Sequence, residues 1–118
     1  MSKQLLLVIS LIVIITTAVA TYIINNTGNT PKAIRKSEID TAVNQATYVY
    51  QQRKAAGLDF SNGPCLSDAL MPGWVLDIAH NPRLPLDDLP QNQCPAYRDG
   101  RSAHFVELDI YGNLIRAK

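Results

Sequence analysis

The sequence lacks most of the short motifs by which binding sites and active sites are recognised. It has no Cys-x-x-Cys pair, no His-x-x-x-His pair and no glycine-rich phosphate loop, so neither a zinc motif nor a nucleotide-binding loop is present. An excess of one charge is also missing: of eleven Lys and Arg only Lys3 precedes residue 25, which leaves ten against ten Asp and Glu. This balance, without a basic-aromatic patch, predicts no nucleic-acid partner.

A long hydrophobic run near the N-terminus is the strongest feature that the sequence does contain. Residues 5–24 carry no charge, and thirteen of these twenty residues are Leu, Ile or Val. As a helix this run covers about 30 Å, the thickness of a bilayer's hydrocarbon core. We expect a transmembrane anchor over residues 5–24, a cytoplasmic tip over residues 1–4, a polar tether over residues 25–36 and one small extracytoplasmic domain over residues 37–118.

The fate and the orientation of this anchor depend on further signals. Ala-Val-Ala at residues 18–20 fits a signal-peptidase site, but the apolar run continues to Ile24, which favours an uncleaved anchor. Lys3 precedes the run and three basic residues follow within residues 25–36, so the positive-inside rule alone would place the domain in the cytoplasm. The two cysteines favour an oxidising compartment instead, and we therefore expect the domain outside the cytoplasm.

An amphipathic helix is predicted after the tether. Ser37 is a candidate N-cap, and Gly57 stands where a helix would end. Four apolar residues fall on one helix face: Ile39, Val43, Ala46 and Tyr50. We expect this face to cover a small sheet.

The middle of the chain is rich in proline. Residues 58–101 contain six of the seven prolines, so long regular elements are not expected there. The one strongly apolar stretch, residues 74–80, predicts a core segment whose inward-facing residues are Trp74, Leu76 and Ile78.

A β-hairpin is predicted at the end of the chain. Residues 103–109 and 114–116 read as two strands, joined by a turn in which Gly112 supplies a positive φ. The expected fold class is α+β: a transmembrane helix, then an amphipathic helix packed on a small antiparallel sheet with this hairpin and a Pro-rich, disulfide-closed loop.

Cys65 and Cys94 are the only cysteines, and they bracket the Pro-rich region. A disulfide between them would close a loop of about thirty residues and contribute about 3.5 kcal/mol, which is a large share of a small domain's stability. We expect this disulfide. Two free buried thiols in a cytosolic domain, or two metal ligands, are the alternatives.

Two kinds of chemistry compete with a purely structural interpretation of the polar residues. Asp77 and His80 have the i, i+3 spacing that places two metal ligands on one helix face. Cys65 beside His80 or His104 is the candidate thiol nucleophile. We expect no cofactor and no metal. We name Asp77, His80, Arg83 and His104 as a possible functional surface, and expect Glu107 and Asp109 to be solvated on the outward face of a strand.

A series of short motifs from residue 63 onward carries a resemblance. These are Gly63-Pro64-Cys65-Leu66-Ser67, Trp74-Val75, Asp77, Ala79-His80, Pro82-Arg83, Pro85, Asp87, Leu89-Pro90, Gln93-Cys94, Arg98, Gly100, His104-Phe105-Val106-Glu107-Leu108-Asp109 and Gly112-Asn113-Leu114-Ile115-Arg116. With them the chain resembles a family of short single-span membrane proteins from candidate-phylum bacteria that have no assigned activity. The resemblance implies the single-span topology and no catalytic role for any residue.

The order of elements is also loosely similar to that of pilins and pseudopilins, which combine an apolar N-terminal helix, an amphipathic helix and a small sheet. The chain departs from them because it lacks a Gly-Phe processing site and an early acidic residue in the apolar helix. Gly28 and Pro31 also interrupt the helical spine.

The functional expectation is a membrane-anchored extracytoplasmic protein, non-enzymatic, that occupies the lipid bilayer and contacts another envelope protein or a wall polymer. A metal- or thiol-dependent enzyme that uses both histidines and the cysteines is one alternative. A pilin-like filament subunit is the other.

Overall fold

The computed structural model describes residues 1–27 and 34–118, which form two separate units. The first unit contains helix α1, Lys3–Thr27, whose 25 residues extend over about 37 Å. Among the described residues this is the one helix long and apolar enough to span a membrane, and none of its apolar span is buried. Residues 28–33, half of the predicted tether, lie outside the described residues.

The second unit, Ile34–Lys118, begins with helix α2, Lys36–Ala55. The predicted N-cap is wrong: Arg35 occupies that position, in an extended conformation and without a side-chain hydrogen bond. The predicted end is confirmed, because Gly57 follows the helix with a φ of +83°. The predicted apolar face is confirmed as well: Ala46 and Tyr50 are buried, and Ile39 and Val43 pack against the same core. Ala42, which we did not predict, is also buried.

Four strands form one sheet in the order β1-β2-β3-β4. Their bounds are Cys65–Met71 for β1, Trp74–Ala79 for β2, His104–Asp109 for β3 and Leu114–Ala117 for β4. Strands β1 and β2 form a hairpin, and β3 and β4 form the predicted C-terminal hairpin.

The sheet is mixed, whereas we expected an antiparallel sheet. Strands β2 and β3 are parallel, with Trp74 opposite His104 and Ala79 opposite Asp109. The physical reason is the connection between them: residues 80–103, here called the crossover, carry the chain back so that β3 starts beside the start of β2.

The two faces of the sheet have different coverings. Helix α2 covers one face, where it contacts a core that includes the predicted inward residues Trp74, Leu76 and Ile78. The crossover covers part of the opposite face with two 3₁₀ turns, Pro85–Asp88 and Pro90–Asn92, and the short helix α3, Pro95–Arg98. Asp77 and Glu107 lie on this second face.

Candidate functional site

A disulfide joins Cys65 to Cys94, with an S–S distance of 2.05 Å, as predicted. Cys65 begins β1, and Cys94 immediately precedes α3, so the bond attaches the crossover to the edge of the sheet. Asp68 lies within 4.8 Å of both sulfurs. Because both cysteines are oxidised, neither supplies the thiolate that a nucleophile or a metal ligand requires.

A pocket of about 360 Å³ lies between the crossover and the second face of the sheet. Its floor follows from strand alternation, because every second residue of a strand faces the same side. The floor residues are Val75 and Asp77 from β2, Phe105 and Glu107 from β3, and Arg116 and Lys118 at the end of the chain. The crossover supplies the remaining wall: Arg83, Gln93, Cys94, Tyr97 and Arg98.

Two carboxyl groups stand side by side on the pocket floor, because Asp77 is opposite Glu107 in the parallel register. The Oδ1 atom of Asp77 is buried without a hydrogen-bond partner among the described residues. Burial, and then the negative charge of Glu107, raise the pKa of Asp77 to about 8. At neutral pH the carboxyl of Asp77 is therefore mostly protonated.

Glu107 is the anchor of an ion-pair network. It is 4% exposed, and it accepts hydrogen bonds from Arg83 NH1 at 2.8 Å and from Arg116 Nε at 3.2 Å. The Nε of Arg83 also donates to Asp88 at 2.9 Å. The expectation that Glu107 is solvated is wrong, because the crossover covers the face on which this strand presents it.

Asp109 is also buried rather than solvated. It accepts hydrogen bonds from the backbone N–H of Tyr111 and of Asn113 and from the Asn113 side chain. Burial acts to raise the pKa of Asp109, but the hydrogen bonds from Asn113 and its neighbours outweigh burial and lower it. This carboxylate therefore stabilises the β3–β4 turn.

Two cations lie above one aromatic ring at the edge of the pocket. The Arg116 guanidinium carbon is 5.1 Å from the centre of the Phe105 ring, and the Lys118 Nζ is 5.6 Å from it. Tyr97 meets the same ring edge-on at 5.0 Å. Lys118 is held in place because its backbone N–H and C=O both bond to Phe105.

His80 does not line the pocket; it supports the crossover. Its Nδ1 donates to Oδ1 of Asp87 at 2.8 Å, and the second carboxylate oxygen accepts from the backbone N–H of His80 and of Leu84. Asp87 is 1% exposed. Burial acts to raise the pKa of Asp87, but the hydrogen bonds from Leu84 and His80 outweigh burial and lower it.

His104 also lies outside the pocket lining. Its ring is 5.0 Å from Trp74, tilted by 34°, so it packs against the core. Of the four residues that we named as a possible functional surface, the structure thus brings Asp77 and Arg83 to the pocket and places the two histidines elsewhere. Sequence reasoning missed Glu107, Arg116 and Lys118 as pocket residues. Their spacing was a usable signal, because residues 105 and 107 of one strand, and residues 116 and 118 of the next, face the same side of a sheet.

Comparison of the chain with protein-family models, with curated proteins and with solved structures found no match. The chemistry of the pocket is therefore the basis for inferring its role.

Proposed function

We propose that the chain is a membrane-anchored extracytoplasmic binding protein. In this proposal helix α1 crosses the bilayer, and the unit Ile34–Lys118 uses its pocket, without catalysing a reaction, to hold another envelope protein or a wall polymer. The observation that carries the proposal is the Cys65–Cys94 disulfide, which attaches the crossover above a pocket whose lining has four cationic side chains and two carboxyl groups.

The disulfide supports the proposed compartment. Disulfides persist in oxidising environments and are rare in the cytosol, where thiols are kept reduced. Helix α1 supports the proposed anchor, because its length matches the bilayer and its apolar side chains are exposed. These two observations outweigh the basic residues after the helix, which favour the opposite orientation.

The bonding within the pocket supports binding rather than catalysis. Glu107 is held by two arginines, so it is not available as a general base. The disulfide removes the nucleophile on which a thiol-dependent enzyme would depend. His80 and His104 serve the crossover and the core. The filament alternative stays a prediction.

Cysteine labelling in intact cells that express the full chain tests this proposal. The cells receive a membrane-impermeant maleimide, either alone or after a membrane-impermeant reductant. We expect no label without the reductant and two labels per chain after it, because both cysteines are oxidised and face the outside. A Ser2→Cys variant is the matched control, and its additional cysteine should react only after the cells are lysed.

Two results would contradict the proposal. The first is labelling of Cys65 and Cys94 without reductant, which shows free thiols. The second is labelling of both cysteines only after lysis, together with a Ser2→Cys thiol that reacts in intact cells, which reverses the topology.

A further inference from the structure

We infer, on the basis of the proposed binding function, that the ligand is a short peptide segment with a free carboxylate, and that Arg116 and Lys118 above Phe105 hold this carboxylate. Three features of the pocket support this inference: the free edge of one guanidinium, the excess of positive charge and the carboxyl of Asp77 on the floor.

Arg116 is positioned like a ligand-binding arginine. Its Nε donates to Glu107, and its guanidinium carbon lies over the Phe105 ring, so two neighbours position it. Its terminal NH1 and NH2 groups have no hydrogen-bond partner among residues 1–27 and 34–118. A carboxylate presents two oxygens in one plane, which match these two N–H groups as a bidentate pair.

The charge balance of the pocket favours an anion. Four cations line it, Arg83, Arg98, Arg116 and Lys118, against the two carboxyl groups of Asp77 and Glu107. Because the carboxyl of Asp77 is mostly neutral at pH 7, Glu107 is the one full negative charge in this lining. Lys118 is exposed and forms no ion pair in the described part of the chain, so a bound anion would meet uncompensated positive charge.

A carboxylate and a phosphate can both accept hydrogen bonds from the free edge of Arg116. The same guanidinium can then neutralise Glu107 with one edge and the ligand with the other. The polar floor of the pocket distinguishes between these two anions.

The floor of the pocket favours a peptide as the carrier of this carboxylate. A protonated Asp77 offers an O–H donor and a carbonyl acceptor next to each other, as a side-chain amide does. This arrangement is complementary to the C=O and N–H of a peptide group. The cavity volume of about 360 Å³ limits the ligand to a short segment.

Titration calorimetry on the full chain in detergent micelles tests the inference. The probes are N-acetyl-dialanine with a free carboxylate and the same peptide with a C-terminal amide. We expect the carboxylate form to bind at least about tenfold more tightly, because charge-assisted hydrogen bonds are about twice as strong as neutral ones. Arg116→Gln should weaken binding of the carboxylate form at least about tenfold, and Lys118→Gln should weaken it severalfold.

Lys36→Gln is the matched control. It removes one positive charge from an exposed pair with Asp40 on helix α2, so the affinity should stay unchanged. Lys118→Gln changes an exposed side chain and should not affect folding, which keeps the test valid if Arg116→Gln is unstable. Fluorescence of Trp74 reports whether each variant is folded.

The configuration of the probe distinguishes two sources of the same chemistry. Tighter binding of the L,L peptide indicates the C-terminus of a protein, whereas tighter binding of the D,D peptide indicates a wall peptide. Equal affinity for carboxylate and amide, an unchanged affinity in both pocket variants, or no binding of any probe overturns the inference. None of these results alters the cysteine labelling in cells, so a wrong ligand is distinguishable from a wrong compartment or topology.

Discussion

Replacement of Asp77 by Asn is the most direct test of the electrostatics described for the pocket. The carboxamide has nearly the shape of the protonated carboxyl and keeps one donor and one acceptor, but it never ionises. The folded state holds the Asp77 proton up to about pH 8, whereas an unfolded chain releases it near pH 4. The folded state therefore binds more protons in this window, and the free energy of unfolding of the wild type should fall as pH rises through it.

The magnitude follows from the width of this window. Four pH units at about 1.4 kcal/mol each give about 6 kcal/mol if the carboxyl were wholly screened from water. Asp77 borders an open pocket, and solvent reduces this value. We expect Asp77→Asn to match the wild type below about pH 4 and to exceed its stability by about 2 to 4 kcal/mol above pH 8.

Urea denaturation followed by Trp74 fluorescence measures this difference. Trp74 is the only tryptophan and is fully buried in the second unit, so its signal reports that unit within the full chain. With a denaturant slope of about 2 kcal/mol/M the midpoint should rise by about 1 to 2 M at high pH. Asp40→Asn, at an exposed site on α2, should leave the pH profile unchanged. A wild-type profile that is flat between about pH 5 and pH 9, or a parallel profile in Asp77→Asn, would refute the reasoning.

Three further predictions concern stability and use the same fluorescence assay. Gly112→Ala should cost about 2 to 4 kcal/mol, because φ is +91° and the added Cβ would lie 2.6 Å from a core tyrosine ring. Gly73→Ala, with φ +79° and no atom within 4 Å of the added Cβ, should cost only about 1 to 2 kcal/mol. Equal losses of stability would contradict the steric explanation. Glu107→Gln should cost about 1 to 3 kcal/mol at neutral pH, because two guanidinium groups lose their charged partner, and an unchanged midpoint would contradict the network. Replacing Cys65 and Cys94 by Ser should cost about 3.5 kcal/mol; a loss below about 1 kcal/mol would mean that the crossover is held without the disulfide.

The parts of the fold that could be predicted from the sequence depend on local periodicity. Helix α2 was predictable because Ala46 and Tyr50 recur at the helical period and Gly57 stops the helix. The C-terminal hairpin was predictable because alternation surrounds the turn at Gly112. The disulfide was predictable because a small domain with a Pro-rich segment and two cysteines gains much from closing that loop.

The parts that could not be predicted depend on long-range pairing. Strand β1 lies in the Pro-rich region, where we expected no long regular element. Irregularities in register interrupt its pairing with β2. Such irregularities weaken the alternation of apolar and polar residues by which a strand is recognised in a sequence. The parallel pairing of β2 with β3 leaves no local signal, because it is decided by how residues 80–103 return the chain. Glu107 was assigned to a solvated face for the same reason.

This one topological feature also explains the candidate site. Parallel pairing places Asp77 opposite Glu107, and the crossover that makes the pairing parallel also covers the face on which both carboxyls lie. Burial and close approach of the two carboxyls then raise the pKa of Asp77, while the crossover and β4 each supply an arginine that pairs with Glu107. The disulfide holds Cys94 of the crossover against β1. The neutral carboxyl and the wall of the pocket therefore have a common cause in the path of residues 80–103, and a change that releases this segment should affect both together.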